Sequence, residues 1–293
     1  MKALEAPPGF SFVRTVLSHG WCLLPPFRLG PDAAWLDFVV ADGRGGALSA
    51  RVHADLRVSP GRPPALRAAA RMLALDVDVA PLHARVADDP DLAWIAAAGA
   101  GRLLRAPTVW EDLVKLVLTT NCSWTLTTRM AEALVARWGD AAPDGRHAFP
   151  TPERLARVPE GALRARGRLG YRAPYIRALA CAVAGGEVDL ERLHRDDRDP
   201  EEIRRDLLAL PGVGPYVAEN LLKFLGRPRG LALDSWMRAK YARLYHGGRR
   251  VTDRTIARRY RHLDTWAGIA LWLTLTRDWF DGDAPARAWA SLT

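Results

Sequence analysis

At 293 residues the chain can bury a substantial apolar core in one large or two medium domains, and its formal charge of +9 rests almost wholly on arginine, since Lys2, Lys115, Lys223 and Lys240 are the only lysines. Guanidinium forks suit phosphate recognition, although arginine excess beside abundant Ala, Gly and Pro is also what a GC-rich coding sequence produces. No apolar run is long enough to span a bilayer and the first ten residues hold no signal-like hydrophobic region, which argues against a membrane protein and leads to the expectation of a cytoplasmic (nucleoid-associated) location.

In chain order, residues 12–17, 35–40 and 47–53 read as strands, separated by turn signals at Gly30-Pro31-Asp32 and across residues 42–46. An antiparallel sheet is the expectation, and Ser59-Pro60-Gly61-Arg62-Pro63-Pro64 marks its end. Beyond Ala65 the pattern is helical, with predicted helices over 66–75, 90–98, 109–120, 125–138, 151–158, 160–168, 173–184, 190–193, 200–209, 216–225, 236–245, 253–261 and 267–279. Thr108 with Glu111 resembles a capping box, and Thr151-Pro152 puts proline at a first helical position. The predicted class is α+β: a small N-terminal antiparallel β-sheet domain over 1–64, then a mostly α-helical domain over 65–293.

Cys22, Cys122 and Cys181 are far apart and form no CxxC, so reduced thiols are expected, and the seven histidines show no ligand spacing such as HExxH. A side-chain metal site is not expected.

The informative stretch is 207–238, in which a helix, the turn Pro211-Gly212-Val213-Gly214, a second helix and a Gly/Pro-rich connector lead to Asp234. Gly212 and Gly214 supply backbone freedom, and the free N–H groups that open the second helix can receive a phosphate. Leu210-Pro211-Gly212-Val213-Gly214, followed by Asp234 twenty residues after Gly214, resembles the helix-hairpin-helix (HhH-GPD) DNA glycosylase superfamily, with the hairpin at about 203–225. Residues 110–139 look like the family's helix-loop-helix before its DNA-probing loop. Leu169-Gly170-Tyr171-Arg172-Ala173-Pro174-Tyr175-Ile176 is similar to a signature of the 8-oxoguanine and 3-methyladenine branches, whose extra β-domain the N-terminal strands match. The resemblance spans about residues 10–279.

The resemblance implies a DNA glycosylase of base excision repair acting on double-stranded DNA that contains damaged bases, as a monomer and with no required cofactor. Cleavage of an N-glycosidic bond leaves positive charge on the sugar, and a carboxylate beneath it stabilises that charge and orients or deprotonates water. Asp234 is the expected catalyst; the alternative is that it only N-caps the helix after it. Bifunctional members carry a lysine where this chain has Tyr216, and a phenol cannot form an imine, so hydrolysis without lyase chemistry is expected. Lys223 lies about 10 Å further along that helix at 1.5 Å per residue and is expected to be a phosphate contact or a surface lysine. By resemblance Gly212, Val213 and Gly214 grip the DNA backbone. Asn121, Tyr171 and Arg172 fill the hole left by the extruded base and hold its partner, unless Tyr171 is a core residue and Asn121 an ordinary cap. The backbone carbonyls of Leu208, Leu210 and Val213 take the positions that bind a structural K⁺ or Na⁺ in the family.

For the base pocket the expected residues are Trp21, Tyr216, Asn220 and Leu271. Asn220, Leu271 and Leu275 depart from the 8-oxoguanine branch's polar and aromatic choices, which argues against strict 8-oxoguanine specificity. Indole faces at Trp21, Trp124, Trp236, Trp266 or Trp272 would favour cationic alkylated purines, although tryptophans in a helical protein mostly serve packing. The alternatives are an 8-oxoguanine or deaminated-base glycosylase, or a non-catalytic DNA-damage-binding protein.

Overall fold

The structure, a computed structural model, describes residues 1–42 and 45–280. Part of the predicted turn at 42–46 and the end of the predicted 65–293 domain lie outside the described residues. Strands β1 (Lys2–Ala3), β2 (Arg28–Leu29), β3 (Trp35–Ala41), β4 (Ala47–His53) and β5 (Arg57–Ser59) form one antiparallel sheet in the order β1-β5-β4-β3-β2. β3 and β4 pair from Trp35 opposite His53 to Ala41 opposite Ala47. Residues 36–40 of β3 are all buried, because the sheet is covered on both faces. Leu36, Phe38 and Val40 enter the main core, while Val39 packs with Ala47, Ala142 and Ala148. That double cover explains why β3 reads as a continuous run rather than an alternation. Asp37, opposite Arg51 in the register, accepts its guanidinium at 2.6 Å, and Arg51 in turn lies 3.6 Å over the Trp35 ring.

The strand predicted at 12–17 is instead a helix, α1 (Phe12–Val16). Ser11 N-caps it by accepting the Arg14 N–H at 3.3 Å, and Thr15 Oγ1 donates back to the Ser11 carbonyl. Phe12 and Val16, four apart, are both buried, a helical spacing that outweighs the β-branched composition.

The helical body comprises α2 (Pro63–Met72), α3 (Ala80–Val86), α4 (Ala93–Ala97), α5 (Val109–Leu118), α6 (Trp124–Trp138), α7 (Pro152–Ala156) and α8 (Glu160–Ala165). It continues through α9 (Ala173–Ala184), α10 (Pro200–Leu208), α11 (Pro215–Phe224), α12 (Ser235–His246), α13 (Asp253–Tyr260) and α14 (Ala267–Thr276). α3 had no counterpart in the sequence reading, and the helix predicted at 190–193 is a single 3₁₀ turn, Glu191–His194. One apolar cluster runs from Phe12 to Trp279 and joins the sheet to the helices.

Two details fix the parts that surround the site. Thr108 N-caps α5 by accepting the Glu111 N–H at 3.1 Å, but the Glu111 carboxylate does not close the capping box; it pairs with Lys115 at 2.6 Å inside the core. Glu191 takes its place, accepting the Val109 and Trp110 N–H groups at 2.8 and 3.2 Å. At the other end of the body, Gly268 opens α14 against the connector after α11. Its N–H donates to the Pro228 carbonyl at 2.9 Å, and a Cβ there would lie 2.0 Å from the Gly230 oxygen. Only glycine allows that approach.

Candidate active site

α10 and α11 form the predicted hairpin. α10 starts at the N-cap Asp199, whose carboxylate accepts the Glu201 N–H at 2.7 Å. In the turn between the helices Leu210 N–H donates to Leu207, and Val213 N–H to Leu210, at 3.1 and 3.2 Å. Gly212 has φ +72, and a Cβ there would meet Tyr175 Cβ at 2.7 Å. Gly214, the N-cap of α11, is exposed, and a Cβ on it would touch nothing within 4 Å. The Val213 side chain is buried, so between Gly212 and Gly214 only backbone is offered to a ligand. Pro215 supplies no N–H, which leaves those of Tyr216 and Val217 at the open helix N-terminus. The expected outcome for Gly212→Ala is a loss of roughly 1–3 kcal/mol of stability from backbone strain, with DNA affinity down about tenfold (about 1.4 kcal/mol). Thermal unfolding and fluorescence anisotropy on a duplex check it, and unchanged affinity would remove the turn from the DNA interface.

Beside the turn opens a cleft of about 970 Å³ that Gly214, Tyr216, Asn220, Lys223 and Asp234 line together. Asp234 is half-buried and is the N-cap of α12, accepting the Met237 N–H at 2.7 Å. Burial raises its carboxyl above the ordinary aspartate range, against the lowering effects of the Met237 N–H and the Lys223 charge. The capping role and a place in the cleft therefore coexist. The Tyr216 phenol is pushed up to about 12 by burial and by the charge of Asp234.

α11 also holds the connector that carries Asp234. Glu219 accepts the Ala232 N–H at 2.7 Å, and Lys223, one turn on, donates to the Leu231 carbonyl at 3.2 Å and to Asn220 Oδ1 at 3.4 Å. Ala232 has φ +50, a conformation these two bonds restrain. Asn220 Nδ2 donates to the Tyr216 carbonyl at 3.0 Å.

The expectation of a surface or phosphate-binding Lys223 is corrected by this placement. The residue is 6% exposed and buried between the cleft and the body, and burial lowers its ammonium to about 8 against the raising charges of Glu219 and Asp234. Leu271 is corrected too: it and Leu275 are fully buried in the core, on a helix that is apolar all round, and it is the neighbouring Trp272 that reaches the cleft. Arg172, expected to face an orphaned base, is 3% exposed. Its guanidinium donates to the Thr120 carbonyl and lies 4.5 Å over the Tyr171 ring, so it supports the 119–123 loop and backs the tyrosine. Tyr171 is 49% exposed with its hydroxyl against Thr120, rather than in the core. Asn121 is exposed at φ +49, and the helix after it is capped by Ser123 instead.

Trp21, Trp124, Trp236 and Trp272 line the cleft, while Trp266 lies outside it. Trp124 covers Gly20, where a Cβ would lie 2.2 Å from the ring. Trp236, Trp272 and Trp279 form a cluster with centroids 5.6–6.0 Å apart. Trp21 is held by Asp112, whose Oδ1 accepts the indole N–H at 2.8 Å and whose other oxygen accepts Arg71 at 2.9 Å. His19 and Phe224, which the sequence reading missed, stack at 5.0 Å. Burial lowers His19 to about 3, so it is a neutral ring held by the Leu104 carbonyl. Glu219 was missed as well; its one visible signal is the i, i+4 spacing to Lys223 on a helix with no other charged residue.

The fold and site define a helix-hairpin-helix protein with an acid-bearing aromatic cleft. Residues 114–263 match the HhH-GPD superfamily base excision DNA repair protein family, and the chain belongs to that superfamily. It is 32% identical over 192 residues to the "Probable N-glycosylase/DNA lyase" of Methanothermobacter thermautotrophicus, covering 58% of this chain and 60% of that one. It is 31% identical to the "Probable bifunctional transcriptional activator/DNA repair enzyme AlkA" of Mycobacterium tuberculosis, over 70% of this chain and 41% of that one. The match thus spans less than two thirds of the length of either relative. Among solved structures, the 3-methyladenine DNA-glycosylase from Archaeoglobus fulgidus shares the fold at a TM-score of 0.75 and 23% identity, with 96% and 99% of the two chains covered.

Proposed function

We propose that the chain is a monofunctional DNA glycosylase that hydrolyses the N-glycosidic bond of alkylated purines extruded from duplex DNA. The observation that carries this reading is Asp234, half-buried in an aromatic cleft beside an open helix-hairpin-helix turn. With the phosphate backbone held at the turn, an extruded base stacks between indoles and its sugar lies over the carboxylate. Asp234 stabilises the developing oxocarbenium charge and takes a proton from the attacking water. Burial strengthens that interaction by removing competing solvent. Tyr216 stays protonated at neutral pH and offers no amine to C1′, which supports hydrolysis without strand cleavage. Cationic rings gain most from indole faces, which supports alkylated purines over other lesions.

Asn121 and Tyr171, both exposed beside Thr120 at the cleft, are suited to fill the vacated stack and meet the orphaned base. Three neutral carbonyl oxygens at Leu208, Leu210 and Val213 suit a monovalent hard cation, K⁺ or Na⁺, bridging to phosphate. The enzyme acts as a monomer in the cytoplasm, on the nucleoid; no helix among the described residues is long and apolar enough to cross a membrane.

The test is a lesion panel. Methylated duplex DNA should release 3-methyladenine or 7-methylguanine and leave intact abasic strands, with no borohydride-trapped adduct. Strand nicking coupled to a trapped adduct would sink the monofunctional reading, and release confined to 8-oxoguanine would sink the alkylated-purine reading. Tight lesion binding without turnover would instead make this a damage-binding protein.

A further inference from the structure

Lys223 transfers no proton in the hydrolysis described above and there only anchors the connector, yet its side chain lines the same cleft as Asp234 while being 6% exposed. A buried ammonium is costly unless its donors are used. Two of its three N–H donors are accounted for, by the Leu231 carbonyl at 3.2 Å and Asn220 Oδ1 at 3.4 Å. We propose that the third is offered to the extruded purine, and that Lys223 is a further catalytic residue that protonates neutral leaving bases. This rests on the glycosylase reading and extends it from cationic alkylated purines to neutral ones.

The chemistry separates the two classes. A cationic alkylpurine leaves as a neutral base and needs no proton. A neutral purine leaves as an anion unless a ring nitrogen or carbonyl oxygen is protonated as the C1′–N9 bond breaks. In that case the bonding pair goes to the base, Lys223 supplies the proton, water adds to C1′ and gives its proton to Asp234, and solvent returns the lysine to its charged form. The charged groups around the amine are Glu219 on its own helix, Asp234 at the end of the connector, and Arg102 and Arg105 across a small cavity on its far side. His19, which lines the cleft with it, is neutral. Glu219 and Asp234 keep the amine charged near neutral pH despite burial, and burial leaves it acidic enough to release its proton, at about 8.

The experiment compares single-turnover release of hypoxanthine and of 7-methylguanine by the wild-type protein, Lys223→Met and Lys223→Gln, with thermal unfolding of each. Both variants should lose at least tenfold more of the hypoxanthine rate than of the 7-methylguanine rate, since loss of the Leu231 anchor is shared by both bases and loss of the proton is not. The wild-type hypoxanthine rate should fall above about pH 8, the value set by the amine, with no matching fall for 7-methylguanine. Equal losses on both bases, or a hypoxanthine rate that is flat above that pH, would overturn the proposal, and the wild-type profile tests it even if both variants unfold. A borohydride-trapped adduct lost in Lys223→Met would overturn it in favour of an imine. Failure of the wild type to release either base would instead remove the glycosylase reading itself.

Discussion

Asp234→Asn should abolish most base release, lowering the single-turnover rate roughly 10²–10³-fold, while leaving DNA binding and folding nearly intact. The separation is possible because the proposed catalytic role is distinct from the observed capping role. As the N-cap of α12 it accepts the Met237 N–H at 2.7 Å, and asparagine caps about as well as aspartate. As the carboxylate under a cationic sugar it has no neutral substitute. Asp234→Ala removes both roles and should cost about 1 kcal/mol of stability as well. The pH profile carries the same signature. The carboxyl is raised by burial, and the charged form is the active one, so the rate should fall as pH drops through a value above the ordinary aspartate range. An Asn variant with undiminished turnover would leave Asp234 as a cap alone.

The largest stability effect is expected at Asp112→Ala, about 3–5 kcal/mol by denaturant unfolding. Asp112 is fully buried and accepts the Trp21 indole, the Arg71 guanidinium and the Ala106 N–H at 2.8, 2.9 and 2.8 Å. Alanine would remove the carboxylate partner of the largely buried Arg71, leaving it only the Ala106 carbonyl, and strand two buried N–H donors in one step. The same change frees Trp21 from α5, so lesion discrimination should weaken along with stability. A loss under 1 kcal/mol would show that water or neighbouring groups satisfy the network without the carboxylate.

Much of this site was legible because its signals are local. Gly212 and Asp234 belong to one short stretch in which turn geometry and an N-cap each favour a residue type, whereas Gly214, at φ −94 with no atom within 4 Å of a Cβ, is not required to be glycine by the fold. Lys223 was misplaced because spacing along a helix gives its position but not whether the face it occupies meets solvent or core. Leu271 failed for a related reason: α14 is apolar all round, so no stripe distinguishes the side facing the cleft. Arg172 reads as a free guanidinium until the 119–123 loop is laid across it. His19 and Trp21 meet Leu104 and Asp112 across more than eighty residues of chain, and no local pattern encodes such pairings. Residues 12–17 misled through composition, since valine and threonine favour strands while the burial of Phe12 and Val16 follows a helix.

α11 joins the two working ends of the molecule in one rigid rod. Its N-terminus opens on the Gly214 turn, and Glu219 and Lys223 on the same helix hold the connector that bears Asp234. Glu219 and Lys223 lie four and eight residues past Pro215, which sets fixed offsets of about 6 and about 12 Å between the turn and the connector anchors at 1.5 Å per residue. In the proposed glycosylase, affinity gained from a phosphate at the turn is thereby converted into alignment of the sugar with the carboxylate. A substrate that lacks that phosphate forfeits turnover number as well as binding, because the contact that captures the strand is also the one that sets its register.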